Sequence, residues 1–434
     1  MLRYAGLSAF DADQQDLQAS LRVQGQRLLL EVDDSRARYP IVIDPVVQLA
    51  KLTASDGKSA DKLGESIGIS GNVIVVGTLI ANAAYVFVKP PTGWKDMTQT
   101  AKLTASDGMV DDLFGVRVAI SGDVIVVGAP GANQNQGAAY VFVKPPTGWK
   151  DMTESAKLIA SDGAPGDDFG FVAVSGSTVV VSAFNATVNG NVFQGAAYVF
   201  TKPGGSWANP DRPVLTETAK LTASDGEVND EFGTAVAIAG DTVAVGAEFA
   251  SPGRGGETYV FVKPPSGWVT ATETAKLQAS DQGGHLGFSI ATNGNTVAVG
   301  APIAHDNGGV YVYVKPEGGW SDMTETAQLL VTKRGWDFGN AVAINGTGKV
   351  IVVAAPEGNG RQIHAGDAFV FLRPSGGWKT TTVYKYRIFA DDGFGGDEFA
   401  QSVSLNGTTL AVGAANATIG NNGGQGAAYV FAAQ

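Results

Sequence analysis

Seven copies of one short aromatic run recur along this chain, and they constrain the fold more than any other feature. Ala138-Ala139-Tyr140-Val141-Phe142 is matched by Ala84-Tyr85-Val86-Phe87, Ala197-Tyr198-Val199-Phe200, Thr258-Tyr259-Val260-Phe261, Val310-Tyr311-Val312-Tyr313, Ala368-Phe369-Val370-Phe371 and Ala428-Tyr429-Val430-Phe431, at intervals of 52 to 61 residues. That interval is the length of one four-stranded propeller blade with its loops. Within one unit, alternation and turn residues give strands from Gly115 to Ile120, Val124 to Ala129, Ala138 to Lys144 and Ala156 to Ala160. Val124-Ile125-Val126-Val127 is apolar on both faces, as a strand sandwiched between neighbouring sheets must be. With 58 glycines against 18 prolines to form many short turns, the expected fold is all-β: a seven-bladed β-propeller of four-stranded antiparallel blades.

Counting the outer strands predicts how the ring closes. Ala50-Lys51-Leu52-Thr53 precedes the first unit, and its counterparts follow at 101, 156, 219, 275, 327 and 386. No such strand follows Tyr429-Val430-Phe431, so residues 50 to 54 are expected to complete the last blade and remove an edge that would invite aggregation. The domain reading is therefore an N-terminal β extension at 1–45 and a propeller at 46–434. Short strands at Leu21 to Val23 and Leu28 to Val32 flank a Gln24-Gly25-Gln26 turn in that extension. Such a unit is too small to bury a core, so it reads as the tail of a preceding β-domain or as a segment packed on the propeller flank.

Phe114-Gly115 followed by Gly128-Ala129-Pro130 resembles the FG-GAP repeat of bacterial surface proteins and of the integrin α-subunit propeller. Phe169-Gly170, Phe232-Gly233 and Phe338-Gly339 keep the first half and Gly300-Ala301-Pro302 the second, while Leu63-Gly64, Leu286-Gly287 and Phe399-Ala400 are weakened copies. The resemblance spans residues 50 to 434 and implies an extracellular or cell-surface location, although this chain shows no signal peptide. It also implies a non-catalytic binding or adhesion module whose ligand lies on the face made by the outer-to-inner and second-to-third-strand loops. Integrin-like propellers hold calcium in long acidic loops between first and second strands. Here those loops have shrunk to turns such as Ser121-Gly122-Asp123 and Asn293-Gly294-Asn295, too short to encircle an ion.

A formal charge of −12 argues against a nucleic-acid footprint, and no apolar run is long enough to insert into a membrane. With no cysteine, thiolate and disulfide chemistry are excluded. Acids recur in the outer-to-inner loops, among them Asp107, Asp111, Asp112, Asp162, Asp167 and Asp168. They are read first as turn formers and second as ligands of a calcium ion, the one cofactor considered.

Departures from the repeat gather in the fifth and sixth units: His285 before Leu286-Gly287, His305 and Asp306 in the next loop, Arg334 and Trp336 where Ser-Asp-Gly is usual, and Arg361 and His364 beyond. These are the candidate ligand-binding residues, for a protein or glycan partner. A lectin, or a propeller-type polysaccharide lyase using the His and Arg groups, is the alternative reading. Trp94, Trp149, Trp207, Trp268, Trp320 and Trp378 recur at one place in each unit and are read as packing of the third-to-fourth-strand turn, with sugar stacking the alternative. The chain is expected to be monomeric or part of a larger multidomain protein.

Overall fold

The computed structural model describes residues 7–12, 16–25, 27–45, 47–208, 214–250, 255–332, 337–360 and 362–432. Seven antiparallel sheets form a propeller ring, each running from an inner strand at the axis to an outer strand at the rim. In blade 2 the strands are Arg117–Ser121, Val124–Ala129, Ala138–Val143 and Ala156–Leu158, within three residues of the sequence-based bounds. The second strand is fully buried past its first residue. The tight turns between first and second strands are hairpins, as at Ser121↔Val124.

Closure is made by Val47–Thr53, which pairs antiparallel with Ala427–Ala432 through Leu52↔Ala428, Lys51↔Tyr429 and Ala50↔Val430. The closing strand begins three residues earlier than expected. A second device ties blade to blade at the rim. Four connectors ahead of an outer strand add a short parallel strand to the sheet of the blade before, as Met97–Thr98 does on Val47–Thr53 and Val214–Leu215 on Ala156–Leu158, and Met152 and Thr381 make single parallel bridges of the same kind. The six recurrent tryptophans close the cores between blades and are at most 8 % exposed, so their rings offer no platform for stacking sugars.

The signature glycines are explained by one contact. A Cβ on Gly128 would fall 1.8 Å from the carbonyl oxygen of Gly170 in the next blade, and Gly77, Gly246, Gly300 and Gly413 face Gly115, Gly287, Gly339 and Gly64 in the same way. The second half of one repeat's motif therefore meets the first half of the next repeat's, backbone to backbone across the blade junction. Where Ser182 stands in place of this glycine, its hydroxyl donates to the Gly233 carbonyl at 2.6 Å. Where both partners are alanine, Ala354 and Ala400, the inner strand carries a bulge between Phe399 and Ser402.

Ahead of the propeller, Leu7–Phe10 pairs with Asp16–Leu17 and Val42–Pro45, and Ala19–Gln24 forms a hairpin with Arg27–Val32. Asp11, Ala12 and Pro40 of this extension share a cleft of about 640 Å³ with Leu372, Trp378 and Tyr384 of blade 6.

Candidate functional site

The parallel bridges Gly137↔Phe169, Gly308↔Phe338 and Leu63↔Gly426 join second-to-third-strand loops to the lead-in of the following blade, so both loop sets emerge on one face. On this face one acid of most outer-to-inner loops is part of a recurring latch. Asp107 accepts from Tyr140 Oη at 2.8 Å and from Lys157 Nζ at 2.6 Å, and the same ammonium lies over the Tyr140 ring. Asp56 with Tyr85 and Lys102, Asp162 with Tyr198 and Lys220, Asp225 with Tyr259 and Lys276, and Asp392 with Tyr429 and Lys51 repeat it. Burial works against ionisation of Asp107 and Asp162, but the lysine and tyrosine overcome it and hold both below the usual carboxylate range.

The second acid closes its own turn: Asp112 Oδ2 accepts from Met109 N and Asp167 Oδ2 from Ala164 N, each at 2.8 Å. Asp168 Oδ2 accepts from Asn185 Nδ2 at 2.6 Å, and Asp111 adopts a positive φ of 74°. Burial raises the Asp167 and Asp168 carboxyls. Among the described residues, no three His, Asp or Glu side chains gather as they would around a metal ion.

Much of the irregularity in blades 5 and 6 rebuilds the latch. Gln328 replaces the lysine in blade 5, and His305 Nε2 comes within 3.1 Å of Asp281 Oδ2, while Tyr311 Oη donates to Asp281 Oδ1 at 2.7 Å. In blade 6 the acid moves into the third strand, where Asp367 accepts from Arg387 Nε and Nη2 at 2.9 and 3.0 Å. His364 Nδ1 lies 3.4 Å from Glu357, and His285 Nδ1 lies 3.2 Å from Glu248, so the three histidines serve three separate pairs. Asp306 is exposed at a positive φ of 62°. Arg334, Trp336 and Arg361 lie outside the described residues.

The site that the geometry does assemble is axial. A chamber of about 400 Å³ opens where the inner strands begin, lined by residues from all seven blades. The residue after each Phe-Gly pair repeats in position but varies in chemistry: Glu65, Val116, Phe171, Thr234, Phe288, Asn340 and Gln401. All but Val116 line the chamber, together with Arg117, Phe184, Glu231 and Glu248. Phe184 and Glu248 occupy the last position of the Gly-Ala-Pro half-motif, filled by Pro130, Pro302 and Pro356 in blades 2, 5 and 6.

Each wall has its own chemistry. The Arg117 guanidinium lies 4.6 Å from the centre of the Phe171 ring, and its nearest carboxylate, Glu65, is 3.9 Å away. Phe184 stands edge-on to Phe171 at 5.1 Å. In the next blade the Glu248 side chain is 12 % exposed; burial, reinforced by the charge of Glu231, pushes its carboxyl up to about 7. Burial lowers the neighbouring His285, whose ring packs edge-on to Phe249 at 4.9 Å. Both groups are driven towards their neutral forms, joined by the short contact between them.

Of the histidines singled out by sequence, His285 alone pairs with a residue of the chamber wall. The chamber residues themselves escaped that reading because it weighed rare and charged residues in loops. The signal lay in the motif, at the last Gly-Ala-Pro position and at the position after Phe-Gly, which a purely structural repeat would have kept constant.

Around the chamber the loops present exposed apolar side chains: Ile80, Met109, Val110, Phe193, Ile303, Ile363 and Phe394. No helix among the described residues is long and apolar enough to cross a membrane. A comparison with curated proteins gives no match. The profile of the FG-GAP repeat matches residues 46–87, 97–142, 152–200, 215–261, 271–313 and 384–431, six segments that each run from a rim connector or closing strand to a third strand. The unmatched stretch holds the sixth unit, where the latch acid has moved to Asp367. With most of its length so matched and seven blades closed by the glycine contacts of the motif, this chain belongs to the FG-GAP repeat family.

Proposed function

We propose that this propeller is a non-catalytic binding module, working outside the cell or at its surface, that captures a protein or glycan on its loop face with a protruding group of the ligand seated in the axial chamber. The observation that carries this reading is the contrast between constant and varied positions. Residues that join blade to blade repeat, whereas the chamber-facing residue after each Phe-Gly pair runs through Glu65, Phe171, Thr234, Phe288, Asn340 and Gln401, and structure alone gives no reason for that diversity. The volume lies in the range of small-ligand pockets, and the exposed apolar side chains around it suit contact with a larger partner.

Glycan and peptide arrays probed with the wild type and with Ala235→Trp, which fills the chamber, test the reading. Binding by the wild type that the substitution removes supports it. Binding that survives the filled chamber would place the ligand elsewhere.

A further inference from the structure

Arg117 is a cation in the chamber wall that the repeat does not account for. The same position in the other blades holds Ser66, Val172, Ala235, Ser289, Ala341 and Ser402. The three serines donate to glycine carbonyls of neighbouring blades, so the scaffold is satisfied there by a small residue. The Arg117 side chain keeps 39 % of its surface open at the chamber, yet burial works against its charge and Glu65 offsets this only in part. Its Nη1 donates to Val116 O at 2.9 Å and lies 3.9 Å from Glu65, whereas its Nε–Nη2 edge makes no hydrogen bond among the described residues. That is the edge with which Arg387 holds the Asp367 carboxylate.

Further along the inner strands the axis continues as a channel of about 230 Å³, which shares Ile67, Val172, Val236, Val342 and Val403 with the chamber wall. The channel is aliphatic, with Ile69, Ile120, Ile238, Ile344 and Leu405 fronting it from five blades. Its two hydroxyls are engaged with main chain: Thr292 donates to Thr296 O at 3.0 Å and Ser404 accepts from Ile69 N at 3.2 Å.

We propose that chamber and channel together form a site for a carboxylate attached to an aliphatic chain, the carboxylate accepting from Arg117 Nε and Nη2 and the chain lying along the axis. The inference rests on the chamber being a ligand site and names the chemistry it takes. A guanidinium edge gives a carboxylate two parallel hydrogen bonds, a match that neither an alcohol nor an amine can make. An aliphatic tube with no hydroxyl to spare gains by covering its surface with an apolar chain. The Phe171 ring holds the guanidinium in place from one face. The acids that line the same space are Glu65, on the Nη1 side of the guanidinium, and Glu231 and Glu248 of blade 4, the latter paired with His285. They oppose a second negative charge and so favour a monocarboxylate. A free alkanoate and the C-terminus of a protein ending in an aliphatic residue both present this chemistry.

Isothermal titration of the whole chain with hexanoate and with an acetylated Gly-Gly-Gly-Leu peptide tests this. The controls are hexanol, hexylamine and acetate for the first, and the amidated peptide and acetylated tetraglycine for the second. The expected result is saturable binding of hexanoate, of the free-acid peptide or of both, with every control at least about tenfold weaker than its acid. The peptide alone would assign the carboxylate to a protein terminus, and hexanoate alone to a free small molecule. Arg117→Gln is expected to weaken binding at least about tenfold, and Ala119→Phe, which narrows the channel, to remove the advantage over the short-chain controls. Near-UV circular dichroism confirms that the variants are folded, and the wild-type comparisons decide without them. A control binding as tightly as its acid, an unchanged Kd in Arg117→Gln, or a chain-length advantage that survives Ala119→Phe would overturn the proposal. Absence of all binding would overturn it too, while array signals lost in Ala235→Trp would still leave the chamber a site for another ligand. Absence of all binding, with array signals untouched by Ala235→Trp, would remove both.

Discussion

Gly128 and Gly170 touch backbone to backbone across the junction of blades 2 and 3, with space for a Cβ on neither side: one built on Gly128 would fall 1.8 Å from the Gly170 oxygen, and one on Gly170 would fall 2.8 Å from Pro130 N. The obstacle is main chain, so no rotamer change relieves it. Gly128→Ala is expected to destabilise the propeller by about 3 kcal/mol, the upper part of the range for overpacking. Gly122, in an open hairpin turn at φ 58°, is the control: its alanine variant carries only backbone strain of about 1 kcal/mol. Thermal unfolding of the two variants measures the difference, and equal losses would show that close approach is not what the motif encodes.

The substituted latch of blade 5 makes a separable prediction. If His305 stands in for the missing lysine, His305→Ala should lower stability by about 0.5 kcal/mol, the scale of a partly exposed pair. Adding Gln328→Lys to that variant should restore the loss, because the lysine then reaches Asp281 as Lys276 reaches Asp225. A double-mutant cycle by denaturant unfolding checks this, and strictly additive effects would argue against a shared carboxylate.

Two sets of carboxyl groups move stability in opposite directions with pH. Asp107, Asp162 and Asp392 are held below their ordinary value by lysine and tyrosine against the pull of burial, so their contribution is present above about pH 4 and is lost as pH falls through the lowered values. Glu248 is raised to about 7, so its contribution is full below its ordinary value and lost as pH rises through 7. Glu248→Gln should therefore leave stability at pH 5 nearly unchanged and raise it at pH 8.5 by up to about 3 kcal/mol. Melting curves at the two pH values decide it; a variant less stable than wild type at pH 8.5 would mean that the carboxylate is well paired.

Ring closure is tested by truncation. A chain starting at Val46 keeps the closing strand Val47–Thr53 and should unfold with a single sharp transition. One starting at Ala54 leaves Ala427–Ala432 as an open edge and should show a much lower midpoint and sediment as aggregates. Equal midpoints would mean that the strand pairing contributes little.

The sequence made the scaffold readable because each blade solves the same packing problem with the same residues. Tyr140, Phe114 and Gly128 recur since most blades use a latch hydroxyl, an aromatic wedge and a bare backbone at the same places. Closure followed from counting one strand too few at the end. The site was harder to read. That His305 meets Asp281 alongside Gln328, which stands where other blades carry lysine, depends on a residue distant in sequence. Glu248 and Phe184 lay in plain view inside a degraded motif, but that they face a common chamber depends on seven blades meeting at one axis, which no single repeat discloses.

The central claim is that the axial chamber, and not the loop rim or the flank, is where this module holds its ligand. A crystal of the protein soaked with a mixture of small amines, carboxylates and sugars tests it most directly. The account predicts a fragment in the chamber among Arg117, Phe171 and Glu248, with its charge matched to the wall it touches. Fragments found only on the rim or beside Trp378, with nothing but water on the axis, would contradict it.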